Sequence, residues 1–390
     1  MQVDKVADLV GQITLDQPKV PDQVVTKVRQ LLAAGKVSAT PQEIGGFTAY
    51  FSEKKPRVLL LSTQELNYIG SQETRFYRAY SCTAAKIKEV VAMSIPVSKQ
   101  GTRRNELMQM LAVKEVFPKN YGFYTTGLGY IVFQEKATCD LLEHYEKQHG
   151  LFRLTFQKKK DHFRSLLGAA ALLRKEKIIH RDIKLDNVLV CKGGRLKLTD
   201  LGYAHRLDDK EATNTVCGTL QILAPEVVCW LYLKQPKPEI GFEADIWALG
   251  LLLHGFTRDE MPDYQWTLYK LGDLNQDLNN INRALSLLEK SQVSTQDLAF
   301  VKNCLSQYEV RLSPSAAGTI KQEKLRECKV KIEAKRKQQL DLWLEQIRVL
   351  APRPKVITCL HDIVLSMLQI NPQERITPDE ALAALELCTH

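Results

Sequence analysis

The stretch Ile178–Gly202, IIHRDIKLDNVLVCKGGRLKLTDLG, constrains this chain more than any other. An apolar pair leads into His180-Arg181-Asp182, and Lys184 and Asn187 follow at fixed offsets. Two short β-branched runs, Asn187–Val190 and Leu196–Thr199, flank Gly193-Gly194, and runs of that kind about a tight turn predict a hairpin. Asp200 ends the second run, just ahead of a Leu-Gly pair. Two carboxylates, one amide and one ammonium therefore arrive at the same end of a small hairpin. Phosphoryl transfer calls for that inventory: a carboxylate to orient and deprotonate an attacking hydroxyl, oxygen ligands for Mg²⁺, and a cation on the moving phosphate.

The rest of the composition sets the frame. With 390 residues, 44% hydrophobic and 25% charged, the chain is ordinary globular material, long enough for two lobes around a cleft. A formal charge of +9 is modest for this length and predicts a solvated basic surface, with no nucleic-acid partner. Nine cysteines without CxxC spacing imply neither a zinc site nor a disulfide framework, and fit a reducing cytosol. No stretch approaches 18 apolar residues, and the N-terminus lacks a basic segment joined to an apolar run of signal length. The expectation is no membrane span, no cleavable secretory peptide and a cytoplasmic location, which becomes the host cytosol if the chain is a secreted effector.

HRDIKLDN followed by DLG resembles the catalytic loop and metal-binding motif of eukaryotic-type Ser/Thr protein kinases. The resemblance implies a bilobal α+β fold, with a small β-rich N-lobe and a larger helical C-lobe. It also implies ATP and Mg²⁺ as cofactors and a protein substrate carrying Ser or Thr. Carried over by position, Asp182 resembles the catalytic base, Lys184 the residue that reaches the γ-phosphate, and Asn187 and Asp200 the Mg²⁺ ligands. The middle of the family's DFG is Leu201 here, an apolar variant.

Upstream the pattern degrades. Ile69-Gly70 stands where the glycine-rich loop would begin, but Gln72 and Arg75 occupy the places of its second and third glycines. Those glycines let backbone N–H groups approach phosphates closely, so their loss reshapes nucleotide binding. Val91-Ala92-Met93-Ser94 matches V-A-I-K with Ser94 in the lysine position, and Glu106 is the candidate for the helix glutamate. Lys88 or Lys86 gives a more usual separation from Glu106, so the register stays open. In the Ser94 register the cation comes from elsewhere. Arg75 is the candidate, since the with-no-lysine kinases also carry a basic residue at the third-glycine position. Each of these cations is equally readable as a solvent-facing charge.

Tyr130–Glu135 resembles the strand entering the hinge, with Phe133 at the gatekeeper position and the adenine near Glu135. Asp140 reads as an N-cap. Farther on, Gly218-Thr219 and Ala224-Pro225-Glu226 match the family's G-T and A-P-E. By resemblance Thr219 bonds Asp182 and Lys184, as in Ser/Thr-specific members. Thr213 and Thr215 are candidate phosphorylation sites for Arg181 to pair with. Asp245, in ADIWALG, is expected to hold the catalytic-loop backbone, and Arg375 to pair with Glu226.

The expected organisation is an N-terminal helical extension over 1–60 and a kinase-like domain over 61–388. Its N-lobe is 61–135 and its C-lobe 136–388. The extension either braces the small lobe or meets a partner. A helical insertion spans about 265–350, with Leu340, Leu342, Trp343, Ile347 and Leu350 as its apolar side. It is read as packed on the lobe, or as a docking surface for a partner protein or an anionic membrane. Three functions compete: an active kinase with an atypical ATP clamp, a pseudokinase scaffold, and a kinase-like fold performing nucleotidyl transfer.

Overall fold

The structure, a computed structural model, describes residues 20–35, 38, 40–52, 56–66, 74–111, 115–148, 153–208, 216–233, 238, 240–258, 264–288, 294–307 and 318–389. The chain divides into two units. One holds residues up to Val113 together with Lys119–Lys136, and the other holds Lys114–Pro118 and Ala137 onward.

The first unit is built on a seven-stranded sheet of order β1-β2-β3-β4-β5-β7-β6. Its strands are β1 (Gln42–Ile44), β2 (Phe47–Phe51), β3 (Val58–Leu66), β4 (Arg75–Cys82), β5 (Ile87–Pro96), β6 (Asn120–Thr126) and β7 (Gly129–Glu135). Central β5 pairs on both sides and is covered on both faces, so it reads as a near-continuous apolar run rather than an alternation. On one face Tyr50, Leu59, Ala79, Val90, Ala92, Ile131 and Phe133 form a core. Tyr50 of β2 lies 4.7 Å from the ring of Tyr124 on β6. Strands so far apart in the order meet only if the sheet curls, which makes the unit a half-barrel.

The opposite face carries two helices, α1 (Asp22–Ala33) and α2 (Lys99–Leu111). Val24 and Val28 of α1 pack on Phe51, Val58, Leu60, Tyr80 and Cys82. The segment before residue 60 is thus not wholly helical. Gly45 and Gly46, at φ 55° and 81°, make the tight turn of the β1–β2 hairpin rather than the end of a helical region. Two successive positive φ values suit that turn, and only glycine adopts them cheaply. A Cβ at Gly45 would also lie 2.6 Å from Val24 Cγ2. The described part of the extension braces the sheet.

In the second unit, β8 (Cys139–Asp140) joins the hairpin β10 (Val188–Cys191) and β11 (Arg195–Leu198), while β9 (Ile178–Ile179) pairs β12 (His205–Arg206). Asp140 Oδ1 caps α3 (Leu141–Gln148) by accepting the Glu143 N–H at 2.8 Å. α4 (Phe156–Lys175) buries Phe163, Leu166, Leu167 and Leu173. α5 (Pro225–Leu233) follows Ala224, and α6 (Phe242–Thr257) is apolar nearly all round, the mark of a fully buried helix.

Among the described residues the insertion shows three helices, α7 (Tyr264–Leu288), α8 (Thr295–Gln307) and α9 (Gly318–Leu350). They share a core of Ile281, Ala284, Leu287, Val301, Cys304 and Leu325. Leu340, Trp343 and Ile347 of α9 are buried, and Trp343 meets Trp247 of α6 edge-on. Leu342 is 48% exposed, on the outer side of that helix. α10 (Leu360–Met367) and α11 (Pro378–Leu387) close the unit, each with a capping box. Among the described residues no helix is long and apolar enough to cross a membrane. Burial pushes the thiols of Cys82 up to about 12 and of Cys304 up to about 11, so neither is a reactive thiolate.

Candidate active site

Helix α6 supplies the anchor beneath the motif stretch. Asp245 Oδ2 accepts the His180 N–H at 2.7 Å, and Oδ1 accepts the Arg181 N–H at 2.8 Å. Burial pushes this carboxyl up, while His180 and Arg181 pull against it. The fully buried His180 ring is fixed between Nε2, 2.9 Å from the Thr199 carbonyl, and Nδ1, 3.4 Å from the Asp182 nitrogen. Those partners make Nε2 the protonated nitrogen and leave Nδ1 as acceptor. Arg181 sits at φ 67° and Asp200 at φ 58°, left-handed conformations that cost a non-glycine residue energy and that cluster at functional sites.

Asp182 is 3% exposed, and donors reach both of its carboxylate oxygens. Oδ1 accepts the Thr219 N–H at 3.2 Å and the Thr219 hydroxyl at 3.0 Å. Oδ2 accepts Asn187 Nδ2 at 2.9 Å and pairs with Lys184 Nζ at 3.2 Å. Lys184 Nζ also donates to Thr219 Oγ1 at 3.1 Å, so that hydroxyl accepts from the lysine while donating to the aspartate. The bonds expected of Thr219 are both present. Gly218 precedes it at φ 95°, where a Cβ would crowd the Arg181 carbonyl.

Asn187 spends its amide N–H groups on Asp182, since Nδ2 also reaches the Asp182 carbonyl at 2.8 Å. Its Oδ1 is the acceptor atom of that amide. The Thr199 N–H bonds the Asn187 carbonyl at 2.9 Å, which sets the end of β11, and hence Asp200, beside Asn187. Asp200 Oδ1 accepts the Gly202 N–H at 3.2 Å. Oxygen ligands from one amide and one carboxylate suit Mg²⁺, which takes one or two protein ligands plus phosphate oxygens.

The residues expected of the phosphate clamp do not converge. Ser94 pairs with Arg75 on β4 and Ile131 on β7, on the same sheet face as Ala92. Helix α2 lies along the other face. Thr102 there bonds Tyr130 at 3.0 Å, and a Cβ on Gly101 would lie 3.2 Å from Ile95. Ser94 and Glu106 are therefore separated by the sheet. Glu106 is exposed and makes no ion pair among the described residues, while the α2-facing positions of β5 are the buried Met93 and Ile95. Arg75 does stand opposite Ser94 in the ladder. Lys88 Nζ instead bonds Tyr121 Oη at 2.9 Å. Phe133 is packed in the aromatic core against Tyr50 and Tyr124. The Glu135 carboxylate accepts the Lys119 N–H at 3.3 Å. Gly70 and Gln72 lie outside the described residues, as do Thr213 and Thr215.

One feature lay beyond sequence reasoning. Arg181 is held by the Tyr203 carbonyl at 2.8 Å and by His205 Nδ1 at 2.6 Å, and nothing in YAHR marks those two as its partners. By contrast the expected pair of Arg375 and Glu226 is present at 2.6 Å, with Arg375 also bonding the Glu243 and Gln369 carbonyls. Breaking one side of such a pair costs about 3–5 kcal/mol.

Comparison with known proteins points the same way. The family model described as the protein kinase domain matches residues 75–385. Testis-specific serine/threonine-protein kinase 5 of Mus musculus is 33% identical over 137 residues, 34% of this chain and 35% of that protein. The phosphorylase b kinase gamma catalytic chain, liver/testis isoform, of Bos taurus is 28% identical over 178 residues, 44% of this chain and 43% of that protein. Protein kinase kin1 of Schizosaccharomyces pombe is 29% identical over 140 residues, 36% of this chain and 15% of that protein. The matched stretch spans less than half the length of each of these relatives.

Proposed function

The chain belongs to the protein kinase family, and from that premise we propose that it transfers the γ-phosphate of ATP to a Ser or Thr hydroxyl of a protein substrate. The observation that carries this reading is the shared bonding of Thr219 to Asp182 and Lys184. A carboxylate gripped on both oxygens has a fixed orientation, and general-base work of this kind contributes about 10²–10⁴ in rate. Asp182 takes the proton of the attacking hydroxyl as the new O–P bond forms and ADP departs. Lys184 brings positive charge to the moving phosphoryl group. Asn187 Oδ1 and Asp200 would hold Mg²⁺; ATP·Mg²⁺, when bound, supplies the phosphoryl group and neutralises its oxygens.

The phosphate clamp in this reading is atypical. Arg75, across the ladder from Ser94, supplies a cation in place of the family's lysine, with Glu135 near the adenine. A second reading, a pseudokinase scaffold, draws support from the exposure of Glu106 and the apolar Met93 and Ile95 facing α2. The basic middle of α9 is read as a docking surface for an acidic partner protein, and its deletion should abolish that partner's capture while sparing transfer. The unbridged cysteines support a cytoplasmic location.

Labelled ATP separates the readings. Transfer from the γ-label that is lost in Asp182→Ala supports the kinase, and transfer from the α-label means nucleotidyl transfer. No transfer from either label overturns both in favour of the scaffold.

A further inference from the structure

Tyr121 stands at a bulge. The β6–β7 register runs Asn120 to Gln134 and Gly122 to Phe133, leaving Tyr121 as the extra residue of its strand. Bulges re-aim a side chain, and here the ring packs beside the aromatic core of the half-barrel. Three cations from three neighbouring chain segments surround it. Arg57 Cζ lies 5.1 Å from the ring centroid, Lys88 Nζ 5.5 Å and Lys119 Nζ 5.7 Å.

Among the described residues no carboxylate pairs with any of the three. Arg57 Nε is buried without a hydrogen-bond partner among them. The Glu135 carboxylate approaches, but it bonds the Lys119 backbone N–H rather than the ammonium. Elsewhere on the same sheet Arg78 and Lys136 share Glu89, at 3.8 and 2.8 Å, so this unit does neutralise cations when the fold alone decides.

We propose that Arg57, Lys88, Lys119 and Tyr121 form a binding site for a phosphate group. The donor set fits that ligand. Arg57 presents a planar fork of N–H groups, the lysines present ammonium donors, and Tyr121 Oη accepts from Lys88 and keeps its own O–H to give. A cluster with donors and almost no acceptors suits an anion with several oxygens and more than one negative charge. The phosphate is carried either by a small soluble monoester or by a lipid headgroup. None of its residues is among those assigned above to phosphoryl transfer or to ATP, namely Asp182, Lys184, Asn187, Asp200, Thr219, Arg75 and Glu135.

Calorimetric titration of the full chain tests this, with inorganic phosphate against an equal ionic strength of chloride. The expected result is saturable phosphate binding that weakens about tenfold in Arg57→Gln and likewise in Lys119→Gln, while Arg57→Lys recovers part of it. Lys119 is exposed, so its variant keeps the test valid if the Arg57 change harms folding. Phosphate bound at any other site is indifferent to both changes. Glycerol 3-phosphate binding more tightly than vesicles containing phosphatidylinositol phosphate identifies a soluble ligand, and the reverse identifies a headgroup. Equal affinity in wild type and both variants, or heats that chloride reproduces, would overturn the proposal.

Discussion

In the second unit, Lys184, Asn187 and Thr219 converge on the Asp182 carboxylate, and Asn187 and Asp245 are tied to backbone as well. In the unit that ends at Lys136, Ser94, Arg75, Lys88 and Glu106 stand on two faces of a sheet, and only Arg75 and Ser94 are neighbours. The difference follows from what each set does for the fold. Asp182, Asn187 and Asp245 are buried polar groups, and removing one leaves its partners unpaired at a cost of about 1–3 kcal/mol each. Met93 and Ile95 are core residues on a strand that packs equally well without a lysine. Functional chemistry here is retained where it also satisfies buried hydrogen bonds.

The sharpest attempt to break this contrast is Asp182→Asn. Radiolabel transfer should fall by about 10²–10⁴ while the melting transition survives; a fully active variant would remove the centre from the network. Next is Thr219→Ala, which deletes a hydroxyl bonded to two charged groups. At about 1.5–3 kcal/mol for such bonds, turnover should drop roughly 10- to 100-fold, with Thr219→Ser close to wild type. An unchanged rate would mean the grip on Asp182 is incidental.

Arg75→Met addresses the other side. If Arg75 serves the phosphates, KM for ATP rises several-fold with a smaller change in kcat, and Ser94→Lys in that background restores part of the loss, because Ser94 stands directly opposite Arg75 on the same sheet face. A flat response in both parameters would leave the first unit without its cation.

The smallest effect concerns pH. All eight histidines follow Ala137. Burial lowers the pKa of His162, and burial with the nearby Arg258 lowers that of His361. The unfolded chain then binds more protons below the ordinary histidine value, so stability falls as pH drops beneath about 6.5. Thermal melts at pH 7.5 and 5.5 with fragment-resolved hydrogen exchange should show loosening of α4 and α10 and little change in β3–β5. Equal loosening throughout would refute the assignment to these two rings.

The sequence was most readable where residue type and offset are both dictated by a buried network. Thr219 bonding Asp182 and Lys184, Asp245 under the loop, and Arg375 with Glu226 were all implied by the family resemblance that those motifs carry, and all are present. It was least readable in the half-barrel, because period-two patterns do not say which face a helix will cover. Val90 through Ile95 is apolar on both faces, so nothing local told Ser94 from Met93 as the side toward α2. A Gly-Gly pair suits a helix end as well as a hairpin turn, and it is the pairing of β1 with β2 that makes Gly45-Gly46 the latter. Leu342 belonged to the apolar stripe of α9 by type, yet it is 48% exposed while its neighbours Leu340, Trp343 and Ile347 turn inward.

The core shared by α1 and the β2–β4 strands reaches well ahead of residue 75, where the family match begins. A recombinant piece cut at that point would strip Tyr80 and Cys82 of their cover and leave β4 as a raw, unpaired border, which invites other chains to zip onto it. Anyone shortening this protein for crystals or assays should therefore start no later than Val20.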